Sequence, residues 1–467
     1  MRKTPVFIVF RSRAARINPS IIRAVHRAEA AEEGVVRIKF GTYKPEEGPE
    51  EVPVYWDSAK VMNSHFTVIG PSGSGKTTRL RRLMAGMALV NPKIRFVVLD
   101  PHGDMGVTGE DSFRFSTTSE LGLNPLIVRE DPDYGGVTRA IETFIKTISR
   151  TSRPLGSKQE HTLHNILLDL YAYLGFHADR PETWNYRFDD RHNPEMSKRH
   201  PTVKTLKWFM ERKLTQVFLG TSSETVAALD DLSRKLRSMD RAIKKEIRGE
   251  ETSVDVDKLK DKCRELFERF LEGMNDGQEV SALFRYGNKD VLQSCYERIC
   301  NLERSGLFRA DTYVFDPSAP IWRYDLSALS SDGQRMAVDF ILDEIFSTAR
   351  GEGQKPETEI FILLDETHKF ITSEPDHIIS VLAREARKFG LGLILSSQNL
   401  TDFPDEILAQ MGTKFVLGVD PIFLDRAAKK LKVDTRRLER IQTHKSSIIA
   451  IKNKGDSGTR WLDMTLV

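Results

Sequence analysis

Residues 70–77, Gly-Pro-Ser-Gly-Ser-Gly-Lys-Thr, match the spacing G-x-x-x-x-G-K-[ST] at every fixed position. Gly70, Pro71, Ser72, Gly73, Ser74 and Gly75 supply a turn whose backbone N–H groups can point inward around phosphate oxygens. Thr78 opens the helix that follows, and the N-terminus of that helix adds partial positive charge. Lys76 then reaches the outer phosphates, and the Thr77 hydroxyl offers a ligand to Mg2+. The ligand this octapeptide predicts is ATP with Mg2+.

A second group lies far downstream. Ile360-Phe-Ile-Leu-Leu-Asp-Glu366 is an apolar strand that delivers two carboxylates at its tip. Asp365 would hold the Mg2+ shell and Glu366 would polarise the attacking water, because phosphoryl transfer needs charge neutralisation and an oriented nucleophile. The plainer alternative is an Asp-Glu pair that caps the next helix. Asp100, in Asp100-Pro-His-Gly-Asp104, also ends a strand and is assigned to the nucleotide site near Mg2+ or the outer phosphate, against the alternative of a capped Pro/Gly turn. Gln398, at the end of Ile394-Leu-Ser-Ser-Gln, has an amide suited to sensing that phosphate or positioning the water.

These groups need strand ends to carry them. Short apolar runs at 66–70, 94–100, 360–365, 391–396 and 414–418, each followed by a turn or helix, read as a buried parallel sheet covered on both faces, an α/β fold. Between 131 and 310 the pattern is helical, over 139–150, 161–174, 203–213, 223–248 and 256–274. The most charged part, 234–268, reads as a projecting helical hairpin or as a stretch with a disordered Glu-rich turn around 249–253. Strand-like runs at 5–10, 35–40 and 52–56 and a helix over 17–31 define a small N-terminal module. The predicted organisation is therefore that module at 1–60, a core in two pieces at 61–130 and 311–467, and a helical insertion at 131–310.

Composition bounds the rest. The 467 residues are 39% hydrophobic and 29% charged, which excludes disordered, collagen-like and disulfide-scaffold classes. With 70 Lys+Arg against 67 Asp+Glu the net charge is only +3, so attraction to nucleic acid must come from local patches. Basic stretches run from Arg11 to Arg27, Lys198 to Lys213, Arg234 to Arg248 and Arg426 to Arg440, with Trp208 and Phe209 the best prospects for stacking on bases. Cys263, Cys295 and Cys300 are too few for a disulfide framework, and no apolar run approaches the roughly 20 residues of a membrane span. The expected location is the cytoplasm.

Four segments in order resemble the HerA/FtsK superfamily of ring-shaped DNA-translocating ATPases, nearest to HerA and the conjugation and type IV secretion ATPases. They are Asp-Pro-His-Gly-Asp at 100–104, Leu-Leu-Asp-Glu-Thr-His-Lys-Phe at 363–370, Ala-Arg-Glu-Ala-Arg-Lys-Phe-Gly-Leu-Gly-Leu at 383–393 and Ser-Ser-Gln at 396–398. The resemblance implies a RecA-like core and a homo-oligomeric ring, taken as a hexamer, that drives double-stranded DNA without reading its sequence. It implies Lys76 and Thr77 at the nucleotide, Asp365 and Glu366 as metal-shell residue and catalytic base, and Gln398 as sensor. An arginine from a neighbouring subunit should also reach the outer phosphate, with Arg387 preferred and Arg384 the alternative. A nuclease, conjugation or defence partner follows from the same likeness. Thr367 where relatives carry alanine, Asp104 where they carry glutamate, and an N-terminal module short for the barrel that docks a nuclease all depart from the pattern. Two other functions fit the same motifs: a secretion-type ATPase that moves protein or assembles a channel, and a nucleotide-binding scaffold that recruits an effector.

Overall fold

The computed structural model describes residues 35–45, 50–131, 133–184, 199–219, 223–247, 255–273, 286 and 289–466. The expected strand at 5–10, the helix at 17–31, the basic stretch 11–27 and the turn at 249–253 lie outside the described residues. The chain forms two compact units, one made of residues 1–123 and 311–467, the other of 124–310.

Among the described residues the first unit has thirteen strands: β1 (Arg37–Tyr43), β2 (Val52–Asp57), β3 (Phe66–Ile69), β4 (Arg95–Asp100), β5 (Asp111–Arg114), β6 (Leu121–Gly122), β7 (Asp311–Thr312), β8 (Ile321–Asp325), β9 (Lys355–Leu364), β10 (Phe389–Ser397), β11 (Thr413–Val416), β12 (Ser446–Ile451) and β13 (Trp461–Leu466). Eleven of them form one sheet in the order β2-β1-β13-β12-β11-β3-β10-β9-β4-β8-β5, while β6 and β7 pair separately. From β11 to β5 every neighbour runs parallel. The other four strands continue the sheet antiparallel.

The parallel strands are apolar because both faces are covered. All of β3 is buried, as are Phe361–Leu364 of β9 and Gly390–Ser397 of β10. Phe66, Phe96 and Phe361 meet across the sheet, Phe96 and Phe361 stacked at 5.4 Å between centroids. The described part of residues 1–60 adds β1 and β2 to this sheet: β1 pairs with β13, and Trp56 of β2 lies 5.1 Å from Phe66 in the same core.

The described α-helices are, in chain order, α1 (Lys76–Val90), then α2 (Gly136–Thr151), α3 (Ser157–Tyr173), α4 (Val203–Leu219), α5 (Ser223–Ile247), α6 (Val256–Gly273) and α7 (Lys289–Arg304) of the second unit, and finally α8 (Ser331–Glu352), α9 (Ile378–Glu385), α10 (Asp405–Gln410), α11 (Leu424–Leu431) and α12 (Thr435–Glu439). The second unit has its own core. Helix α2 buries Val137, Ile141, Phe144, Ile145 and Ile148, one stripe at helical spacing. Leu163, Ile166 and Leu170 of α3 and Leu292 and Ile299 of α7 are also buried, and Tyr171 donates from its hydroxyl to the carbonyl of Leu126 at 2.9 Å. Helix α5 packs along α6.

The two candidate arginines stand on different elements. Helix α9, which carries Arg384, stops at Glu385; Ala386–Lys388 winds into a tighter 3-10 turn, and β10 starts at Phe389, paired with Lys355 of β9. Arg387 therefore sits on the entry to a central strand. No described helix is long and apolar enough to cross a membrane.

Candidate nucleotide site

Strand order brings the distant motifs together. The 70–77 loop leaves the carboxyl end of β3, Asp365 and Glu366 leave β9, and Gln398 leaves β10, which lies between them. The register is tight: Ser397 is opposite Ile69, Leu395 is opposite Leu364, and the N–H of Gly70 donates to the Ser397 carbonyl at 3.3 Å. Ligands of parallel α/β sheets collect at this edge.

The loop turns through a bond from the Ser74 N–H to the Pro71 carbonyl at 3.2 Å and enters α1 through Gly75, whose φ of 88° favours glycine. A Cβ on Gly75 would also lie 2.9 Å from Nδ1 and 3.0 Å from Cε1 of His444. Lys76 is buried and folds back over the loop, donating from Nζ to the carbonyls of Gly70 at 2.6 Å and Pro71 at 3.3 Å. Burial pulls the ammonium below its ordinary range, while the charges of Glu366 and Asp365 pull it back up. Thr77 is half-buried at the start of α1, and Ser72, Gly73 and Thr78 are exposed.

Across the site, Asp365 and Glu366 are 5% and 6% exposed, although both carry charge in solution. Burial pushes the Asp365 carboxyl above the usual range, the neighbouring Glu366 charge adds to this, and Lys76 opposes it. Glu366 is held at φ 47°. Its Oε1 accepts from Nε2 of Gln398 at 3.0 Å. Its Oε2 lies 3.1 Å from Nδ1 of His368 but accepts no hydrogen bond there. Ser74 Oγ is likewise buried without a hydrogen-bond partner. A buried ammonium held by two carbonyls, an orphan hydroxyl in the loop, an orphan carboxylate oxygen on Glu366 and a second buried carboxyl on Asp365 are groups that Mg2+ and a triphosphate would satisfy. The residues fit that pair of ligands.

Asp100 does something else. It is fully buried; Oδ1 accepts from the N–H groups of His102 at 3.1 Å and Gly103 at 2.8 Å, and Oδ2 accepts from Met105 N–H at 2.9 Å and from Arg323 at 3.2 Å. Both oxygens are occupied, so the carboxylate braces the 101–105 loop. The arginines are also elsewhere. Arg384 is exposed and donates to the Pro375 carbonyl at 2.6 Å. Arg387 lies at the amino end of β10, where it lines a cavity of about 280 Å³ together with Asn63, Ser64, Pro356 and Glu357. That is the opposite edge of the sheet from Gln398.

The basic stretches are partly neutralised. Lys207 meets Glu303 at 3.3 Å, Lys244 meets Asp240 at 2.8 Å, and Arg437 meets Asp463 at 2.6 Å. Trp208 is 37% exposed with Arg212 over its ring, whereas Phe209, the other residue expected to stack, is buried at 7%. Two residues at the site escaped the sequence analysis. His368 was visible two positions after Glu366, but His444 stands in no motif.

The fold is that of the RecA-like P-loop class. A family described as "Helicase HerA, central domain" matches residues 38–238. The DNA double-strand break repair helicase HerA of Pyrococcus furiosus is 22% identical over 405 residues, which are 82% of this chain but 62% of that protein, so the match spans about three fifths of the relative. The protein of the same name from Sulfurisphaera tokodaii is 29% identical over 101 residues, 20% of each chain. Among solved structures, VirB4 of Thermoanaerobacter pseudethanolicus has the same fold, with a TM-score of 0.57 and 16% identity over 92% of this chain and 96% of that one. The chain is thus similar in sequence to HerA helicases and shares its fold with VirB4.

Proposed function

We propose that the chain is a Mg2+-dependent ATPase that forms a hexameric ring in the cytoplasm and drives double-stranded DNA through it without reading sequence, a translocase of the HerA/FtsK type. The observation that carries this reading is the convergence of Lys76, Asp365, Glu366 and Gln398 at the ends of three neighbouring strands. In this reading the amides of residues 70–78 and the Lys76 ammonium hold the phosphates, and the Thr77 hydroxyl and Asp365 are the metal-shell groups. Bound Mg2+ supplies charge neutralisation to the phosphate oxygens. Glu366 orients the attacking water and takes its proton, with Gln398 fixing the carboxylate through the bond at 3.0 Å. Arg387, or Arg384 in its place, serves the site of the next subunit, since neither reaches the site of its own chain. The ATPase core is assigned to 61–130 and 311–467, and the 131–310 insertion to partner or DNA contacts, with a nuclease, conjugation or defence protein as the partner.

The test is hydrolysis with and without duplex DNA. Glu366→Gln should lower turnover by about 10²–10⁴-fold while leaving ATP binding intact, and duplex DNA should raise the wild-type rate. A rate indifferent to DNA points instead to a secretion ATPase that moves protein. A negligible rate in both proteins leaves only a nucleotide-binding scaffold.

A further inference from the structure

The 442–445 turn reaches the phosphate-binding loop from strands that take no part in the chemistry above. Val416 of β11 is opposite Ile69 of β3 and also opposite Ile448 of β12. The amino end of β12 therefore lies at the same sheet edge as the loop, on the side away from β10 and β9. The turn is fixed by its own bonds: the N–H groups of Lys445 and Ser446 donate to the Gln442 carbonyl at 3.0 and 2.9 Å, and the Gln442 N–H donates to Ser446 Oγ at 2.8 Å. At its tip His444 adopts φ 65°, in the left-handed region that histidine, asparagine and aspartate enter more readily than other residues with a side chain. Its ring rests against Gly75, close enough that no residue with a Cβ would fit there unmoved. The residue is exposed, and its ring makes no hydrogen bond among the described residues.

The direction of a bound nucleotide follows from the strand order. Glu366 and Gln398 stand on the β9 and β10 side, so the terminal phosphate must point that way. The rest of the triphosphate crosses the loop, and ribose and base must leave over the first turn of α1, toward β11 and β12. His444 is the flat side chain on that path. We propose that His444 is the stacking surface of a nucleobase subsite, its imidazole held against Gly75 so that the base of a purine nucleotide lies on its outer face. This inference rests on the nucleotide reading of the site.

The experiment is calorimetric titration of the full chain with ATP and, separately, with inorganic tripolyphosphate, both with Mg2+. His444→Asn keeps a residue at ease in the left-handed region but removes the ring; His444→Phe keeps a flat ring. The expected result is that His444→Asn weakens ATP about tenfold, leaves tripolyphosphate unchanged, and that His444→Phe restores most of the loss. Equal weakening of both ligands would mean that the ring serves the phosphates or the shape of the loop, and would overturn the proposal. ATP binding alike in wild type and His444→Asn overturns it too, with the nucleotide reading intact. A wild type that binds neither ligand removes that reading itself, and the subsite with it.

Discussion

Burial shifts the titration of two residues at the site, lowering Lys76 and raising Asp365. Asp365 titrates above the unfolded carboxylate range of about 4 because folding removes it from water. Its contribution to stability is complete below that range and is lost as pH rises through the raised value. Asp365→Asn should therefore raise the melting temperature of the nucleotide-free protein at pH 7, by about 2–4 °C, and the gain should vanish as the pH falls below 4. Identical melting curves at pH 7 would show that the ionised carboxylate costs nothing. At this scale the sequence was informative where partners are close in the chain. Residues 70–77, Asp365 and Glu366 carry their spacing with them. Asp100 does not, because the Arg323 that binds it comes from β8 and turns an expected ligand residue into a brace.

Single elements are positioned by close packing more than by propensity. Strand β10 holds Gln398 at one end and follows Arg387 at the other, and its register against β3 and β9 depends on Gly392. A Cβ there would lie 2.8 Å from the Phe361 ring and 2.8 Å from the Ser64 carbonyl, one of them backbone. Gly392→Ala should cost about 1–3 kcal/mol in denaturant unfolding and lower the hydrolysis rate with it, since the strand must shift and carry Gln398 away from Glu366. Unchanged stability would mean that the sheet absorbs a methyl group freely. Strands β3, β4, β9, β10 and β11 were legible as apolar runs, whereas β5, Asp-Ser-Phe-Arg, was not. Strands β12 and β13 were not legible either: Trp461–Leu466 mixes buried and exposed residues, and β1 gave no sign that its partner, β13, lies more than 400 residues further along the chain.

At the level of the whole molecule, the arginine assignment makes the active unit an assembly. Strand β10 spans roughly 25 Å between Phe389 and Ser397, so Arg387 cannot serve the site that Gln398 borders. Lys76→Ala and Arg387→Ala proteins should each be inactive alone, yet an equimolar mixture should regain hydrolysis, because some interfaces then pair an intact loop with an intact arginine. A mixture as inactive as its components would return Arg387 to a purely local role. Only the change of hydrophobic period near residue 131 was legible; the two compact units divide after residue 123. The joining of the first strands to the sheet was not legible, because it depends on pairing between chain ends.

The strand order carries one more consequence. Strands β3, β4 and β5 touch none of one another; their neighbours in the sheet are β8, β9, β10 and β11, all encoded after the helical unit. On the ribosome, the first three central strands emerge and then wait while about 200 residues are made, some 10–40 s at ordinary elongation rates. During that interval the helical unit can complete itself while the apolar ribbons that precede it have no partner. The nascent chain thus matures from its middle outward, and the phosphate-binding loop is the first motif to be translated and among the last to acquire its shape.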